Sequence, residues 1–180
     1  MTANITVEHV LIADSKGSFV TRPLPEIQVE LAGIPGDRHY GLLRPADVRQ
    51  KIYKRGTMIA NRRQISIISY EECAEIAARM KLPEIQAEWL GANIMLKGLE
   101  SLTTLPLGTR ILFPDGTGLI CEGENPPCIL PGKVIESVSG IEGIKSRFVP
   151  AAKQRRGIVC SVEREGVIRS GDEVRIILPK

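Results

Sequence analysis

The chain has 180 residues, a length that favours one domain, and with only 4% aromatic residues its core must be filled by aliphatic side chains. The formal net charge of +3 is too small to indicate nucleic-acid binding by itself but permits a small anionic ligand. No apolar run approaches the roughly 20 residues of a membrane span, and the N-terminus lacks a signal-peptide pattern, so we expect a cytoplasmic protein without membrane or nucleic-acid partners.

The N-terminal part of the chain predicts short strands joined by turns. Residues 4–12 and 27–31 alternate apolar and polar side chains, as half-buried strands do. After them, three glycines bracket Asp37, Arg38 and His39 in a loop that allows the backbone to approach a ligand. A structural role remains open, in which Asp37 caps the turn and pairs with Arg38.

The middle of the chain is basic and then helical. Residues 44–61 show no clear period and are interpreted as a long loop, either solvated or in contact with a ligand. Arg62 and Arg63 precede a predicted strand. Ser69 and Glu72 have the spacing of a capping box and predict the start of an amphipathic helix.

The C-terminal half continues as short strands, turns and helices. The whole pattern predicts a mainly β fold of one domain over residues 1–180, an antiparallel β-barrel with a few helical insertions (α+β). Strands are predicted near 91–96, 107–113, 119–121, 157–162 and 173–178, and helices from Pro83, from Pro131 to Val138 and over 141–152.

The four cysteines divide into two groups. Cys73, Cys121 and Cys160 share helix or strand faces with apolar residues, which predicts packing rather than chemistry. Cys128 instead lies in the proline-rich segment 125–131, through which neither a helix nor a central strand is expected to pass. Without CxxC spacing, and with two histidines in the chain, we expect free thiols and exclude a His-rich metal site.

Cys128 is the candidate for chemistry because loops on rigid scaffolds commonly carry reactive groups. A reactive thiolate needs access and positive surroundings, which the arginine pairs at 62–63 and 155–156 would supply if the fold brings them close. Two alternatives stay open. Cys128 is a small apolar plug in a proline turn, or it is the nucleophile of a hydrolase with His39 and Asp37.

Taken together and in order, several short segments resemble the MOSC domain, the C-terminal domain of molybdenum cofactor sulfurases. The resemblance covers roughly residues 5–178. It rests on residues 36–41 (GDRHYG), 62–66 (RRQIS), 91–94 (GANI), 107–110 (LGTR), 125–128 (NPPC) and 156–172.

This resemblance implies a barrel similar to that of pyruvate kinase, a bound molybdenum cofactor (molybdopterin), and Cys128 as its sulfur carrier or metal-ligating thiol. One position departs from the family, which usually has Glu where this chain has Ala92. The residues expected to bind the pterin-type anionic cofactor are Asp37, Arg38, His39, Arg62, Arg63, Asn93 and Arg156.

The implied activity is sulfur transfer or molybdenum-dependent reduction of N-hydroxylated compounds. The alternative is a non-catalytic carrier of the cofactor, and the hydrolase is a third possibility. We expect no pyridoxal phosphate to be bound by this chain, so the sulfur would come from a separate cysteine desulfurase. Reductase activity would require an electron-donor protein, because the chain has no flavin or iron–sulfur motif.

Overall fold

The computed structural model of the protein describes residues 4–180. No helix in this range has the length and apolarity needed to cross a membrane. The strands are β1 (Thr6–Ile12), β2 (Arg22–Leu24), β3 (Glu26–Val29), β4 (Leu43–Pro45), β5 (Met58–Ala60), β6 (Ile65–Ser69), β7 (Ile94–Lys97), β8 (Arg110–Leu112), β9 (Gly118–Glu124), β10 (Ile158–Arg164), β11 (Gly166–Arg169) and β12 (Arg175–Ile177). The helices are α1 (Tyr70–Met80), α2 (Ala87–Leu90), α3 (Ile129–Ser139) and α4 (Lys145–Ala152), with a 3-10 turn at Leu102–Thr104.

Eight strands form one mixed sheet in the order β12-β8-β9-β10-β6-β7-β1-β2. All neighbours in this sheet are antiparallel except β6 and β7, which run parallel with Ile67 opposite Ile94. The parallel pair follows from its connection, because the chain passes through α1 and α2 and returns in the same direction. Two ribbons, β3–β11 and β4–β5, lie outside this sheet.

The mainly β, α+β class predicted from the sequence is confirmed, but the expectation of a wholly antiparallel sheet is wrong at β6–β7. A closed barrel is not found within residues 4–180, where β12 and β2 are the outer strands, so the barrel stays a prediction. The segment before β12 does lie along β1. There the N–H of Val7 donates to the Asp172 carbonyl at 2.9 Å, and the N–H of Gly171 donates to the Val7 carbonyl at 2.8 Å.

Successive residues of the central strands belong to two different apolar cores. Ile67 and Val10 belong to the first core, which consists mainly of strand residues. Their chain neighbours Ile68 and Leu11 belong to the second core, together with residues of α1, α3 and α4 such as Phe148. Because the sheet is covered on both faces, β6 is buried along its whole length.

Helix α1 begins at the predicted N-cap, but the predicted capping box is only half formed. Ser69 Oγ accepts a hydrogen bond from the N–H of Glu72 at 3.2 Å. The Glu72 carboxylate does not return to Ser69 but accepts the N–H and hydroxyl of Thr103 at 2.9 and 2.7 Å. Thr103 Oγ1 also accepts the N–H of Gly157 at 2.8 Å, which connects α1 to the start of β10.

Several element boundaries differ from the prediction. Residues 44–61 contain the β4–β5 hairpin, whose strands are largely exposed on both faces and therefore lack the apolar alternation that marks a strand. The helix predicted from Pro83 is confined to α2, and the one predicted from Ile141 begins at Lys145. Helix α3 begins before Pro131, and Cys128 becomes its N-cap. Pro131 is tolerated because it lies in the first turn, where backbone N–H groups have no partner inside the helix.

Gly157 allows β10 to pass close to β6. Its φ of +85° is left-handed, and a Cβ at this position would overlap the carbonyl oxygen of Ile67. We therefore expect Gly157→Ala to lower the free energy of unfolding by at least about 2 kcal/mol in urea denaturation.

Gly17 provides the matched control, since its φ is +79° and no neighbouring atom lies within 4 Å of a Cβ there. Gly17→Ala should show only the conformational part of the loss, about 1 kcal/mol. Equal losses for the two variants would contradict the steric argument.

Candidate functional site

A single cavity brings together segments that are far apart in the sequence. Its volume is about 510 Å³. Its wall is formed by residues 38–40, the β4–β5 hairpin, the start of β6, the end of α2 and the segment leading into α3. The side chain of Arg156, which precedes β10, completes this wall.

Cys128 lies on the cavity wall at the N-cap of α3. Its backbone is extended, with φ −127° and ψ 173°, and its side chain makes no capping hydrogen bond. All four thiols are free, but Cys128 is exposed while Cys73, Cys121 and Cys160 are buried. The Cys128 thiol is therefore accessible to a ligand in the cavity, as a reactive cysteine must be.

The cavity is strongly positive. Asp47 is the one carboxylate on its wall within the described part of the chain. Burial, followed by repulsion from the charges of Arg49 and Arg44, lowers the pKa of Arg63 to about 10. Such a surplus of guanidinium charge favours an anionic ligand. The guanidinium groups on the wall belong to Arg38, Arg44, Arg49, Arg63 and Arg156.

Arg156 is the most buried of these arginines, with 7% of its surface exposed. Its Nη2 donates to the carbonyl oxygen of Leu90, whereas its Nη1 is buried and has no hydrogen-bond acceptor among residues 4–180. Burial lowers the pKa of Arg156, and electrostatic interactions with Cys73 and Cys128 act in the opposite direction. A buried guanidinium donor therefore lies unsatisfied within electrostatic range of Cys128.

Asp37 does not lie on the cavity wall but is buried behind it, where it holds His39. Its carboxylate accepts the N–H of Ala13 at 2.8 Å and Asn93 Nδ2 at 2.9 Å. It also accepts the N–H of His39 at 2.8 Å and pairs with His39 Nδ1 at 3.1 Å. Burial by itself raises the pKa of Asp37, but the hydrogen bonds from His39 and Ala13 outweigh it and the pKa falls below its usual range. With Nδ1 held in this way, Nε2 is the ring nitrogen of His39 that can accept a proton.

The structure places the remaining predicted residues away from the wall. Asn93 is buried, and its Oδ1 accepts the N–H of Ser66 at 3.0 Å while its amide donates to Asp37. The Arg62 side chain is 75% exposed and lies 3.5 Å from Glu122. Of the residues predicted from the sequence, the cavity wall contains Cys128, Arg38, His39, Arg63 and Arg156.

Several residues of the cavity wall were not predicted from the sequence as site residues. Arg44 and Arg49 lie on the hairpin and pair with Asp47 at 2.6 and 3.0 Å. Asn125 Oδ1 accepts Arg63 Nη2 at 2.7 Å, and Asn61 Nδ2 donates to the His39 carbonyl at 2.8 Å. The basic composition of 44–61 was the one signal in the sequence that pointed to the hairpin arginines.

No group of three or more His, Cys, Asp or Glu side chains in the described range is arranged to hold a metal ion by itself. The fold is mainly β, and the wall of its cavity contains a thiol and five arginines. This combination is suited to the binding of an anionic ligand. The chain belongs to the MOSC domain family, whose model matches residues 36–175.

Two further comparisons agree with this assignment. The chain is 50% identical over 177 residues to YuaD of Bacillus subtilis, which is described as a putative metal-sulfur cluster biosynthesis protein. The matched region covers 98% of this chain and 91% of that relative. The crystal structure of YuaD superimposes with a TM-score of 0.94 at 48% identity, covering 99% of this chain and 98% of that one.

The fold is also similar to that of YiiM from Geobacillus stearothermophilus. The two share 14% identity and a TM-score of 0.61, with 96% of this chain and 75% of YiiM covered. At this level of identity the similarity concerns the fold alone.

Substitution of Asp37 tests how much the buried carboxylate beside the cavity contributes to the stability of the protein. Asp37→Asn removes an acceptor facing several donors, so we expect the free energy of unfolding to fall by about 2–4 kcal/mol near neutral pH. Because the folded-state pKa lies below the ordinary 3.8, this stabilisation is present above that value and is lost as the pH falls through the folded-state pKa. The difference between wild type and variant should therefore shrink below about pH 3.8 in urea titrations at several pH values.

Asp14→Asn is the matched control. Asp14 pairs with Arg22 at 2.6 Å on the surface, so its loss should change the unfolding free energy little. An Asp37→Asn variant as stable as Asp14→Asn would contradict the assigned role of Asp37.

Thiol reactivity should separate Cys128 from the buried cysteines. Burial raises the pKa of Cys73 to about 12, and it also raises the pKa values of Cys121 and Cys160. With Ellman's reagent at about pH 8, native protein should show one fast thiol and three slow ones. Cys128→Ser should remove the fast phase, and a fast phase that survives this substitution would contradict the assignment.

Proposed function

We propose that the protein is a sulfur-handling MOSC protein that binds the molybdenum cofactor in the arginine-lined cavity and carries sulfur on Cys128. The observation that carries this proposal is the shared wall of the exposed Cys128 thiol and the buried guanidinium of Arg156. The description of YuaD as a putative metal-sulfur cluster biosynthesis protein supports sulfur handling in a relative of this chain.

The residues present fit an anionic pterin cofactor. The Nη1 atoms of Arg156 and Arg44 are buried and lack an acceptor within residues 4–180, and phosphate oxygens are strong acceptors for guanidinium groups. Arg38 and Arg63 add donors on the same wall. When bound, the cofactor would supply a soft metal centre suited to sulfur ligands.

The role of Cys128 follows from thiol–disulfide chemistry. Its thiolate attacks the outer sulfur of a donor persulfide, a new S–S bond forms at Cys128, and the donor's S–S bond breaks so that the donor leaves as a thiolate. The positive end of α3 and the charge of Arg156 stabilise the anion before and after transfer. We assign the uptake of the thiol proton to His39 Nε2, because Asp37 engages Nδ1 and His39 shares the cavity wall with Cys128.

The donor in this proposal is a separate protein, a cysteine desulfurase, because we expect no pyridoxal phosphate in this chain. The four free thiols support a reducing compartment, so the proposed location is the cytoplasm. Two related functions use the same cavity. A reductase of N-hydroxylated compounds would use Cys128 as a metal ligand with an electron-donor protein, and a carrier would bind the cofactor without using the thiol.

A thiol hydrolase is a second candidate, favoured by the hydrogen bond between Asp37 and His39 Nδ1 at 3.1 Å. That pair resembles the base and orienting group of Cys-His hydrolases, and Cys128 shares the cavity with His39. Turnover of an activated thioester that disappears in both Cys128→Ser and His39→Gln would identify this activity in place of sulfur transfer.

The proposal can be tested by measuring how alanine substitution of two adjacent arginines changes the affinity for the cofactor. Arg63 lies on the cavity wall and Arg62 outside it. Arg63→Ala should weaken the binding of free molybdenum cofactor roughly tenfold or more, because a charge-assisted contact is lost. Arg62→Ala should bind like wild type, and fluorescence titration with the extracted pterin measures both.

Cys128→Ser distinguishes the outcomes of this experiment. In Cys128→Ser, cofactor binding that persists while the persulfide loading seen in wild type is lost agrees with a sulfur carrier. In wild type, loading by a cysteine desulfurase that never occurs while cofactor binding is intact identifies a passive carrier of the cofactor. Equal binding by the Arg62 and Arg63 variants would place the cofactor elsewhere and overturn the proposal.

A further inference from the structure

We propose that Cys128 also accepts sulfur directly from a small sulfur oxyanion of the thiosulfate class, which makes the cavity a thiosulfate–thiol sulfurtransferase site. This inference rests on the proposed role of Cys128 as a sulfur carrier and names a donor for it. It is carried by the charge of the cavity and by one buried guanidinium.

The charge balance of the wall favours a dianion. Five guanidinium groups face one carboxylate, and that carboxylate, Asp47, is already engaged by Arg44 and Arg49. Arg63 has only the neutral Asn125 as a side-chain partner, and Arg38 has no side-chain partner within the part of the chain described. The positive charge near Cys128 is therefore left for a ligand to neutralise.

Arg156 supplies a buried hydrogen-bond donor to the site. It is 7% exposed, it lies on the cavity wall, and its Nη1 has no acceptor in residues 4–180. A buried donor of a charged group without a partner is unfavourable, and an oxyanion oxygen at this position would relieve that cost.

The N-terminus of helix α3 adds a partial positive charge beside the arginines, next to Cys128. The helix has 11 residues, and Cys128 is its N-cap. The N–H groups of its first turn, at Ile129 and Leu130, have no partner inside the helix. Sulfonate oxygens beside the Cys128 sulfur would face these donors, while the thiolate attacks the terminal sulfur.

The reaction balances without an added oxidant or reductant. The Cys128 thiolate attacks the outer sulfur of thiosulfate, an S–S bond forms at Cys128, and the S–S bond of thiosulfate breaks. The electron pair of that bond leaves with the sulfonate group as sulfite. Cys128 then carries a persulfide, and a thiol or cyanide that takes the outer sulfur restores the thiolate.

The leaving group explains why this donor suits the cavity. Sulfite departs with two negative charges, and guanidinium groups in a partly dehydrated cavity stabilise such a group more than bulk water would. The cavity of about 510 Å³ is also much larger than thiosulfate and leaves room for an acceptor.

The experiment incubates reduced full-length protein with thiosulfate and follows two products. Mass spectrometry of the intact chain should show the gain of one sulfur atom, absent in Cys128→Ser, and cyanide should then release thiocyanate. Arg63→Ala should lower kcat/KM for thiosulfate by about tenfold or more, whereas Arg62→Ala should remain within about twofold of wild type. Sulfite should inhibit wild type more strongly than Arg63→Ala.

Arg156→Gln should cause a larger loss, with Arg155→Gln as its control because Arg155 pairs with Glu75 and does not line the cavity. Urea denaturation of each variant shows whether a loss reflects unfolding, and the less buried Arg63 keeps the test valid if Arg156→Gln does not fold.

Inorganic polysulfide serves as a reference sulfur donor for Cys128 because it carries no sulfonate group. If polysulfide loads Cys128 and thiosulfate does not, the thiosulfate inference is overturned while the carrier role stands. If neither loads it, both proposals fail. If thiosulfate loads the Arg62 and Arg63 variants equally well, the arginine cavity is not the donor site and the inference is overturned.

Discussion

The burial of Arg156 without an acidic partner among residues 4–180 is the constraint on which the cavity depends. Removing a guanidinium from water is unfavourable by several kcal/mol unless other groups compensate. In the described chain its compensation is one hydrogen bond to the Leu90 carbonyl. The backbone beside Arg156 is held in place, because Gly157 packs against Ile67 and its N–H donates to Thr103 at 2.8 Å. The fold thus holds a positive charge on the cavity wall, with the Nη1 donor of Arg156 left without an acceptor among residues 4–180.

A second buried charge, Asp37, lies outside the cavity wall and positions a residue on it, so structural and chemical roles separate within one motif. Asp37 joins the end of β1, the residue before β7 and the loop that carries His39, through Ala13, Asn93 and His39 itself. It acts on the cavity through His39 rather than by facing a ligand. Asn93 has the same kind of role, since both sides of its amide are used within the protein.

Most of the fold was predictable because it depends on local patterns. The alternation of β1 and the amphipathic period of α1 mark those elements in the sequence, and the same reasoning placed Cys73 and Cys160 in the core. The β4–β5 hairpin was missed because neither of its faces is consistently buried. The parallel β6–β7 pair was missed because strand direction depends on the path of the helical connection, which no local pattern records.

The sequence by itself determined that Cys128 differs from the other cysteines, because prolines on both sides exclude it from a regular core strand, and the ordered motifs pointed to the MOSC family. Tertiary structure alone decided which charges meet that thiol. Arg62 and Arg63 are adjacent in the chain, yet one points to Glu122 and the other to the cavity, since successive residues at a strand entry face opposite ways. Arg44 and Arg49 reach the same wall only because the hairpin folds back over it. Convergence of charge depends on long-range packing, and spacing along a chain carries no record of it.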